Sequence, residues 1–209
     1  MEALENIARL HLEQSIATKQ RLLAQCLGDI VQIGTDLARA LSKGATVLLC
    51  GNGGSAADAQ HFAAELVIRY RSQVQRAALP ALALTTDPSL MTAGGNDLGF
   101  DAVFARAVEA YGKPGDVLIG ISTSGKSENV RRAIEAARSR TMHTIGLLGG
   151  DGGTIRPLCN SAVVVPSTVT AHIQECHITI LHIWCSIIEA QLYPDVVRAA
   201  GLDQVEAMP

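Results

Sequence analysis

One short stretch, in which an apolar segment gives way to glycines and then to a helix, constrains the possible folds most. Residues 46–50, TVLLC, predict a buried strand, and GNGGS at residues 51–55 follows directly. Three glycines in five residues let the backbone adopt positive φ angles and approach a ligand closely. The alanine-rich sequence that follows favours a helix. A strand, a glycine loop and a helix N-terminus in this order form a corner whose free backbone N–H groups can hold a phosphate.

Apolar strands and helical segments alternate along the rest of the chain. This alternation predicts an α/β fold, a single doubly wound five-stranded parallel sheet flanked by helices, with ligands at the carboxyl ends of the strands. We expect one domain over residues 1–209, made of a helical oligomerisation arm (1–43), a sheet-and-helix core (44–192) and a tail (193–209). The strands are expected at 46–50, 80–85, 116–121, 144–148 and 162–165, and the core helices at 55–71, 100–111, 128–140 and 171–192. A loop marked by Asp87-Pro88 and by GGND, residues 94–97, is expected to contain a short apolar helix between these two sequences.

The segment before the first strand is predicted to be mostly helical. Apolar residues from Leu4 to Ile16 recur at helical spacing, a second helix is expected over residues 27–41, and Gly44 provides a C-cap. This arm is longer than the sheet needs, and a second subunit can bury its apolar stripe. We therefore expect an oligomer.

Composition and charge exclude several classes of function. A net charge of −3 and 3% aromatic residues give no basis for binding nucleic acid, and no apolar run predicts a membrane span. The first residues include acidic side chains and no long apolar run, so no secretory signal peptide is expected. The five cysteines are odd in number and form no CxxC pair, which is typical of reduced thiols in a cytoplasmic protein.

A second corner, GISTSGKS at residues 120–127, matches the P-loop pattern G-x-x-x-x-G-K-[ST] and follows a predicted strand. An NTPase is one interpretation. It is weakened because the loop follows the third strand, and because no firm strand ending in a magnesium-binding aspartate comes after it. The other interpretation is a sugar-phosphate cradle built from helix N–H groups and the hydroxyls of Ser122, Thr123, Ser124 and Ser127.

Two predicted helices carry acid–base side chains. After the first corner, His61, Glu65 and Arg69 recur at intervals of four residues along one side of a helix, which taken alone is equally typical of a solvated surface. In the final helix, Gln174, His177 and His182 interrupt an apolar sequence, where polar groups need partners. A structural role is expected for His177. A divalent metal such as zinc could be held by His61, Glu65, Gln174 and His182, although spacing alone leaves this open.

Four motifs carry a resemblance to a known family. They are residues 51–71, 94–100 (GGNDLGF), 115–130 and 172–183 (HIQECHITILHI). They resemble those of the phosphoheptose isomerases, a family of sugar-isomerase (SIS) domain proteins, and the similarity runs over nearly the whole chain. The resemblance implies a homotetramer with active sites at subunit interfaces. It also implies conversion of sedoheptulose 7-phosphate to D-glycero-D-manno-heptose 7-phosphate, the first step toward the heptose nucleotides of lipopolysaccharide or capsule.

By matching positions, the resemblance assigns chemical roles. Glu65 and His182 would shuttle protons through an enediol, and one zinc ion per subunit would be surrounded by His61, Glu65, Gln174 and His182. Lys126 stands where the family pattern leads us to expect asparagine. The residues that would bind the sugar phosphate are Asn52, Gly53, Gly54, Ser55, Arg69, Asn96, Asp97, Ser122, Thr123, Ser124, Ser127 and Gln174.

Two alternatives stay open beside the isomerase. Some SIS-fold relatives are non-catalytic adaptors that bind a protein partner such as a replication initiator, and they resemble this chain in the glycine loop and the final helix. The joint presence of His61, Glu65 and His182 favours the enzyme, because an adaptor needs none of the three. The P-loop-like NTPase is the third hypothesis.

Overall fold

The computed structural model describes residues 1–202, in which five parallel strands form one sheet in the order β2-β1-β3-β4-β5. Helices flank this sheet, so the predicted fold class is confirmed. Residues 203–209 of the predicted tail lie outside the described residues. The strands are β1 (Val47–Gly51), β2 (Ala81–Ala83), β3 (Val117–Ser122), β4 (His143–Gly149) and β5 (Ser161–Val165). The helices are α1 (Glu2–Ser42), α2 (Gly54–Val67), α3 (Pro88–Asp97), α4 (Val103–Tyr111), α5 (Glu128–Ser139), α6 (Thr170–Leu192) and α7 (Pro194–Ala199).

Two apolar layers cover opposite faces of the sheet. Side chains alternate along each strand, so Leu49 belongs to the layer formed with α1, α2 and α6, whereas Leu48 belongs to the layer formed with α4 and α5. The strands β1 and β3 are buried along their whole length, as parallel strands covered on both faces should be. Trp184 of α6 is fully buried, and its indole N–H donates to the carbonyl of Ile30 in α1 at 3.0 Å.

The strand order reverses beside β1. The chain passes from β1 to β2 on one side and then crosses to β3 on the other, with Gly51 in register with Ile121. The loops that follow β1 and β3 therefore leave the sheet side by side at its carboxyl edge. Such a switch point is the usual ligand position in open α/β sheets, and both predicted phosphate-binding loops lie there.

The N-terminal arm is a single helix of 41 residues, so the prediction of two helices was wrong. The helix continues through Gly28 because its buried face, from Leu22 to Leu41, packs along α6 and β5. Gly44 follows the helix end with a φ of +83°, as predicted for a C-cap glycine. Neither α1 nor any other helix in residues 1–202 is long and apolar enough to cross a membrane. The large apolar residues of α1 that remain exposed are Leu4, Ile7, Leu10, Leu12, Ile16, Leu23, Leu27 and Val31.

The helix after the glycine loop ends earlier than predicted. It stops at Val67, which places Arg69 outside α2. The cause is Arg76, whose guanidinium donates to the carbonyls of Glu65 (2.6 Å) and Leu66 (2.9 Å). In a continuing helix these two carbonyls would accept from the backbone N–H groups four residues ahead. Capture of the carbonyls by a side chain from the following segment therefore ends the helix.

Candidate active site

A pair of amides joins the two loops at the switch point. Asn52 of the glycine loop and Asn129 of α5 exchange two hydrogen bonds of 2.9 Å, in which each amide nitrogen donates to the other's oxygen. The Asn129 oxygen also accepts from the backbone N–H of Val130 at 2.9 Å. The glycine loop is thereby fastened to the N-terminus of the helix that follows the second loop.

The second loop is closed by its own hydroxyl groups. The hydroxyl oxygens of Ser122 and Ser127 lie 2.9 Å apart, and Ser124 Oγ accepts from the backbone N–H of Lys126 at 3.2 Å. Gly125 has a φ of +64°, and a Cβ there would lie 2.1 Å from a backbone oxygen of the neighbouring loop, so this position requires glycine. The loop leads into the N-terminus of α5, where N–H groups and the helix dipole favour an anion.

A cleft of about 570 Å³ opens beside the second loop, and Thr123, Ser124, Lys126 and Asp151 are among the residues that line it. The backbone N–H of Gly153 and, after it, the ammonium of Lys126 lower the pKa of Asp151. The cleft therefore contains two of the predicted phosphate-binding hydroxyls together with an exposed cation. Lys126 is the residue that departs from the family pattern, and it stands where it can add charge to this cleft.

His61, Glu65 and His182, referred to as the α2–α6 cluster, meet where α2 faces α6. The Nε2 atoms of His61 and His182 lie 2.9 Å apart, and His61 Nε2 lies 3.3 Å from Glu65 Oε1. The other carboxylate oxygen, Glu65 Oε2, is buried without a hydrogen-bond partner. The structure thus brings together both predicted catalytic residues and three of the four predicted metal ligands.

The surroundings of this cluster shift the pKa values of two neighbouring groups. Burial, followed by the neighbouring His61, lowers the pKa of His182. The ring of Tyr70 stacks on His182 with centroids 5.5 Å apart and planes inclined by 28°. Burial raises the pKa of Asp58, one turn before His61, to about 6, and its Oδ2 has no hydrogen-bond partner. Displaced pKa values of this kind are typical of acid–base sites.

The donor set of the α2–α6 cluster fits a zinc ion. Zinc binds imidazole nitrogen and carboxylate oxygen, and the cluster offers two imidazoles and a carboxylate with a buried, unpartnered oxygen. Gln174, the fourth predicted ligand, lies at the other end of α2. A Cβ on Gly54 would come within 2.5 Å of its Nε2, so the amide rests on the glycine loop.

Three predicted substrate-binding residues lie apart from these groups. Arg69 is exposed beyond the end of α2, and Asn96 donates to Asp97 (2.7 Å) in the last turn of α3. The GGND sequence was predicted as a loop, but it is helical because Asp87 caps α3 and Pro88 begins it. Within residues 1–202, none of the three side chains is bonded to either loop or to the α2–α6 cluster.

A buried ionic group supports the α2–α6 cluster. The Glu189 carboxylate, 1% exposed, accepts from Arg71 Nε at 2.8 Å and from Arg76 Nε at 3.1 Å. Arg76, which is also 1% exposed, is the residue that ends α2. The guanidinium of Arg71 lies 5.7 Å from the ring centroid of Tyr70, which in turn stacks on His182. One carboxylate on α6 therefore contacts both the arginine at the end of α2 and the arginine beside the ring that stacks on His182.

Sequence reasoning missed the residues that hold the site in place. Asn129, Tyr70, Arg76 and Glu189 were not predicted. Glu189 could have been found, because a carboxylate in an otherwise apolar helix needs a charged partner if that face is buried. The other three follow only from tertiary contacts.

Comparisons with known proteins agree with this geometry. The profile of the SIS domain matches residues 11–149. The phosphoheptose isomerase of Chlorobaculum parvum is 59% identical over 164 residues, which make up 78% of this chain and 78% of that protein. The chain belongs to the phosphoheptose isomerase family. The phosphoheptose isomerase GmhA from Neisseria gonorrhoeae has a TM-score of 0.84 and 45% identity, covering 90% of this chain and 99% of that one. The phosphoheptose isomerase from Francisella tularensis has a TM-score of 0.85 and 39% identity, covering 90% and 98%.

Membership of the phosphoheptose isomerase family confirms the resemblance predicted from the four motifs. It does not favour the adaptor or the NTPase, since the relatives named here are all isomerases. The second corner matches the P-loop pattern because Lys126 follows Gly125 in a serine-rich loop.

Proposed function

We propose that this chain isomerises sedoheptulose 7-phosphate to D-glycero-D-manno-heptose 7-phosphate, the first step toward heptose nucleotides for lipopolysaccharide or capsule. The observation that carries the proposal is the α2–α6 cluster, in which His61 Nε2 lies 2.9 Å from His182 Nε2 and 3.3 Å from Glu65 Oε1. The cluster stands on the helix that begins at the glycine loop. Relatives at up to 59% identity carry the name of this activity.

The reaction moves a proton between C1 and C2 through an enediol, so it needs a base at the carbon and an acid at the oxygen. We assign the base to Glu65, the carboxylate of the cluster, whose Oε1 lies 3.3 Å from His61 Nε2. His182 is the partner that protonates and deprotonates the substrate oxygen. His61 Nε2 lies 2.9 Å from His182 Nε2, so the position of the His182 ring is tied to that of His61.

The phosphate is proposed to bind the second loop. Hydroxyl groups and the N–H groups at the start of α5 are donors suited to a phosphate, and the exposed Lys126 adds a positive charge. The sugar is proposed to contact the glycine loop and Gln174, which rests on it. The other proposed contacts, Arg69, Asn96 and Asp97, rest on the family pattern.

One zinc ion per subunit is part of this proposal. His61, Glu65 and His182 would hold it, with Gln174 as the fourth ligand of the family pattern. When bound, zinc supplies Lewis acidity that polarises a carbonyl. The fit rests on the unpartnered oxygen of Glu65 and the paired imidazoles.

The proposed assembly is a homotetramer of single-domain subunits with active sites at subunit interfaces. The exposed apolar residues of α1 support it, because large apolar side chains spaced along one helix are typical of contact surfaces.

A cytoplasmic location is proposed as well. All five cysteines are free, and burial raises the pKa of Cys50 and Cys159 to about 12, so these thiols are protonated and unreactive.

The test is isomerisation of sedoheptulose 7-phosphate by the purified, zinc-loaded protein in D₂O, followed by NMR. We expect the aldose product to form with deuterium at C2, because the base exchanges its proton with solvent at the enediol. The Glu65→Gln variant should lose both product and deuterium exchange. A well-folded, zinc-loaded protein that forms no product would overturn the proposal and favour the adaptor.

A further inference from the structure

A second group of histidines and carboxylate lies on α6, about two turns before His182. His11 of α1 faces His172 and Glu175 of α6, and we refer to these three residues as the α1–α6 cluster. His11 Nε2 lies 2.8 Å from Glu175 Oε1, and His172 Nδ1 lies 3.5 Å from Glu175 Oε2. One ligand atom from each residue fits within 4.8 Å of the other two. None of the three belongs to the predicted catalytic site.

The imidazole of His172 points an unsatisfied nitrogen into this group. His172 is 3% exposed, and its Nδ1 is buried without a hydrogen-bond partner. Its Nε2 lies 3.4 Å from the amide oxygen of Gln14, an acceptor that favours the proton on Nε2. Nδ1 then carries a lone pair directed at a carboxylate oxygen. In this tautomer the buried Nδ1 is free to bind a cation beside Glu175 Oε2, which lies 3.5 Å away.

The carboxylate is held in place by a neighbouring hydroxyl. Ser15 donates its hydroxyl to Glu175 Oε2, and His11 Nε2 lies against the other carboxylate oxygen, Oε1. Lys19 donates to Ser15 at 3.2 Å, while its ammonium lies 4.0 Å from the carboxylate itself. Ser15 and Lys19 are both on the side of Oε2, so Oε1 is the oxygen that faces His11.

We propose that His11, His172 and Glu175 form a zinc site that is separate from the α2–α6 cluster. Two imidazole nitrogens and one carboxylate oxygen are a ligand set that zinc binds, with water as the fourth ligand. Gln14 contacts His172, and Ser15 donates to Glu175. Residues that hydrogen-bond to metal ligands commonly orient them in this way. The metal cross-links α1 to α6 close to the point where the apolar residues of the arm become exposed. It therefore fixes the direction of the arm.

The experiment counts metal ions on the full chain. Metal-stripped protein is titrated with Zn²⁺ against a chromophoric chelator and, in parallel, with Co²⁺ by absorption spectroscopy. The variants are His11→Ala and Glu175→Gln for the α1–α6 cluster, and His61→Ala for the α2–α6 cluster. His143→Ala is the matched control, since His143 belongs to neither cluster and contacts Ser161 at 3.4 Å. His11 is half exposed, so its removal leaves the fold intact.

We expect two Zn²⁺ per wild-type chain and two in His143→Ala. His11→Ala and Glu175→Gln should each lose one site, and the zinc affinity of that site should fall more than ~100-fold. Removing a metal ligand costs more affinity than removing a residue that only hydrogen-bonds to a ligand. His61→Ala should lose only the other site. The proposal is overturned if His11→Ala and Glu175→Gln bind as much zinc as wild type with the same affinity. If His11→Ala removes the only zinc that wild type binds, this site stands and the zinc proposed for the α2–α6 cluster falls.

Discussion

Helix α6 carries two histidine–carboxylate clusters, and they differ in what surrounds them. The α2–α6 cluster includes the partly buried Glu65, and its neighbours are Tyr70, which stacks on His182, and the buried Glu189 with its two arginines. The α1–α6 cluster is formed by a half-exposed histidine and a partly exposed carboxylate near the open end of a long helix. Similar side chains thus stand in two electrostatic environments. We expect catalysis at the α2–α6 cluster, which is surrounded by buried charged groups. At the more exposed α1–α6 cluster we expect a metal that only links two helices.

A third histidine on the same helix sharpens the contrast. His177 lies between the two clusters, is fully buried, and has its Nε2 3.1 Å from the carbonyl of Leu148. Burial lowers its pKa to about 4, so it is neutral at physiological pH. It binds the strand beneath it and neither cluster, as predicted for a structural histidine. Position on α6 therefore decides the role of each imidazole.

The largest expected difference between the clusters is in turnover. Glu65→Gln should lower kcat by about 10²–10⁴-fold, because an amide cannot take the proton from carbon. The matched change Glu175→Gln should alter kcat by less than about 3-fold, since its carboxylate is not part of the acid–base pair. Steady-state kinetics with sedoheptulose 7-phosphate measures both. Equal losses in the two variants would break the distinction between a catalytic and a structural cluster.

The second difference is in stability. Arg76→Met leaves the buried Glu189 short of a partner and removes a donor from two carbonyls of α2, which should cost roughly 3–5 kcal/mol. Lys19→Met removes a partly exposed lysine that donates to Ser15 and lies 4.0 Å from Glu175, and should cost about 0–1 kcal/mol. Chemical denaturation at fixed protein concentration compares them. A similar cost for both would mean that the buried ionic group does not support the α2–α6 cluster.

A smaller effect is expected from the ring that stacks on His182. Tyr70→Leu removes the aromatic face and should lower kcat about 10-fold with little change in KM, because the catalytic imidazole is no longer held in orientation. Tyr70→Phe keeps the ring and should retain near wild-type kcat. Both variants are measured under saturating substrate. A loss in Tyr70→Phe as large as in Tyr70→Leu would assign the effect to the hydroxyl instead.

The smallest effect concerns the second loop. Lys126→Asn restores the residue of the family pattern and should raise KM about 2–5-fold without changing kcat, since an exposed charge contributes up to about 1 kcal/mol. The increase should shrink at high salt, which screens exposed charges. Lys19→Asn, the corresponding loss of a lysine at the α1–α6 cluster, should leave KM unchanged. A KM that is insensitive to Lys126 would remove this lysine from phosphate binding.

The sequence predicted the architecture well because local patterns decide it. Alternating apolar strands and helices led to the five-stranded parallel sheet, and the strand–loop–helix corners predicted both loops at its carboxyl edge. The errors arose where distant residues intervene. α2 was predicted to continue past Arg69, but Arg76 takes the carbonyls that would have extended it. The GGND sequence was predicted as a loop from its glycines, whereas the capping of α3 by Asp87 carries the helix through it.

The acid–base residues of the candidate site could be predicted from the sequence, but the contacts between helices that bring them together could not. His61 and Glu65 share a helix side, so periodicity alone pairs them, whereas the meeting of His61 with His182 depends on how α2 packs on α6. The α1–α6 cluster was not anticipated at all. His11 and His172 are separated by most of the chain, and only the packing of α1 along α6 brings them together.

The measurement that tests this account most directly is turnover of sedoheptulose 7-phosphate by the metal-stripped protein, before and after zinc is restored, in wild type and in His11→Ala. We expect both proteins to lose turnover on stripping and to recover it with zinc, because only the α2–α6 cluster serves catalysis. Absence of turnover in zinc-loaded wild type would contradict the isomerase. Recovery in wild type but not in His11→Ala would contradict the division of roles between the two clusters.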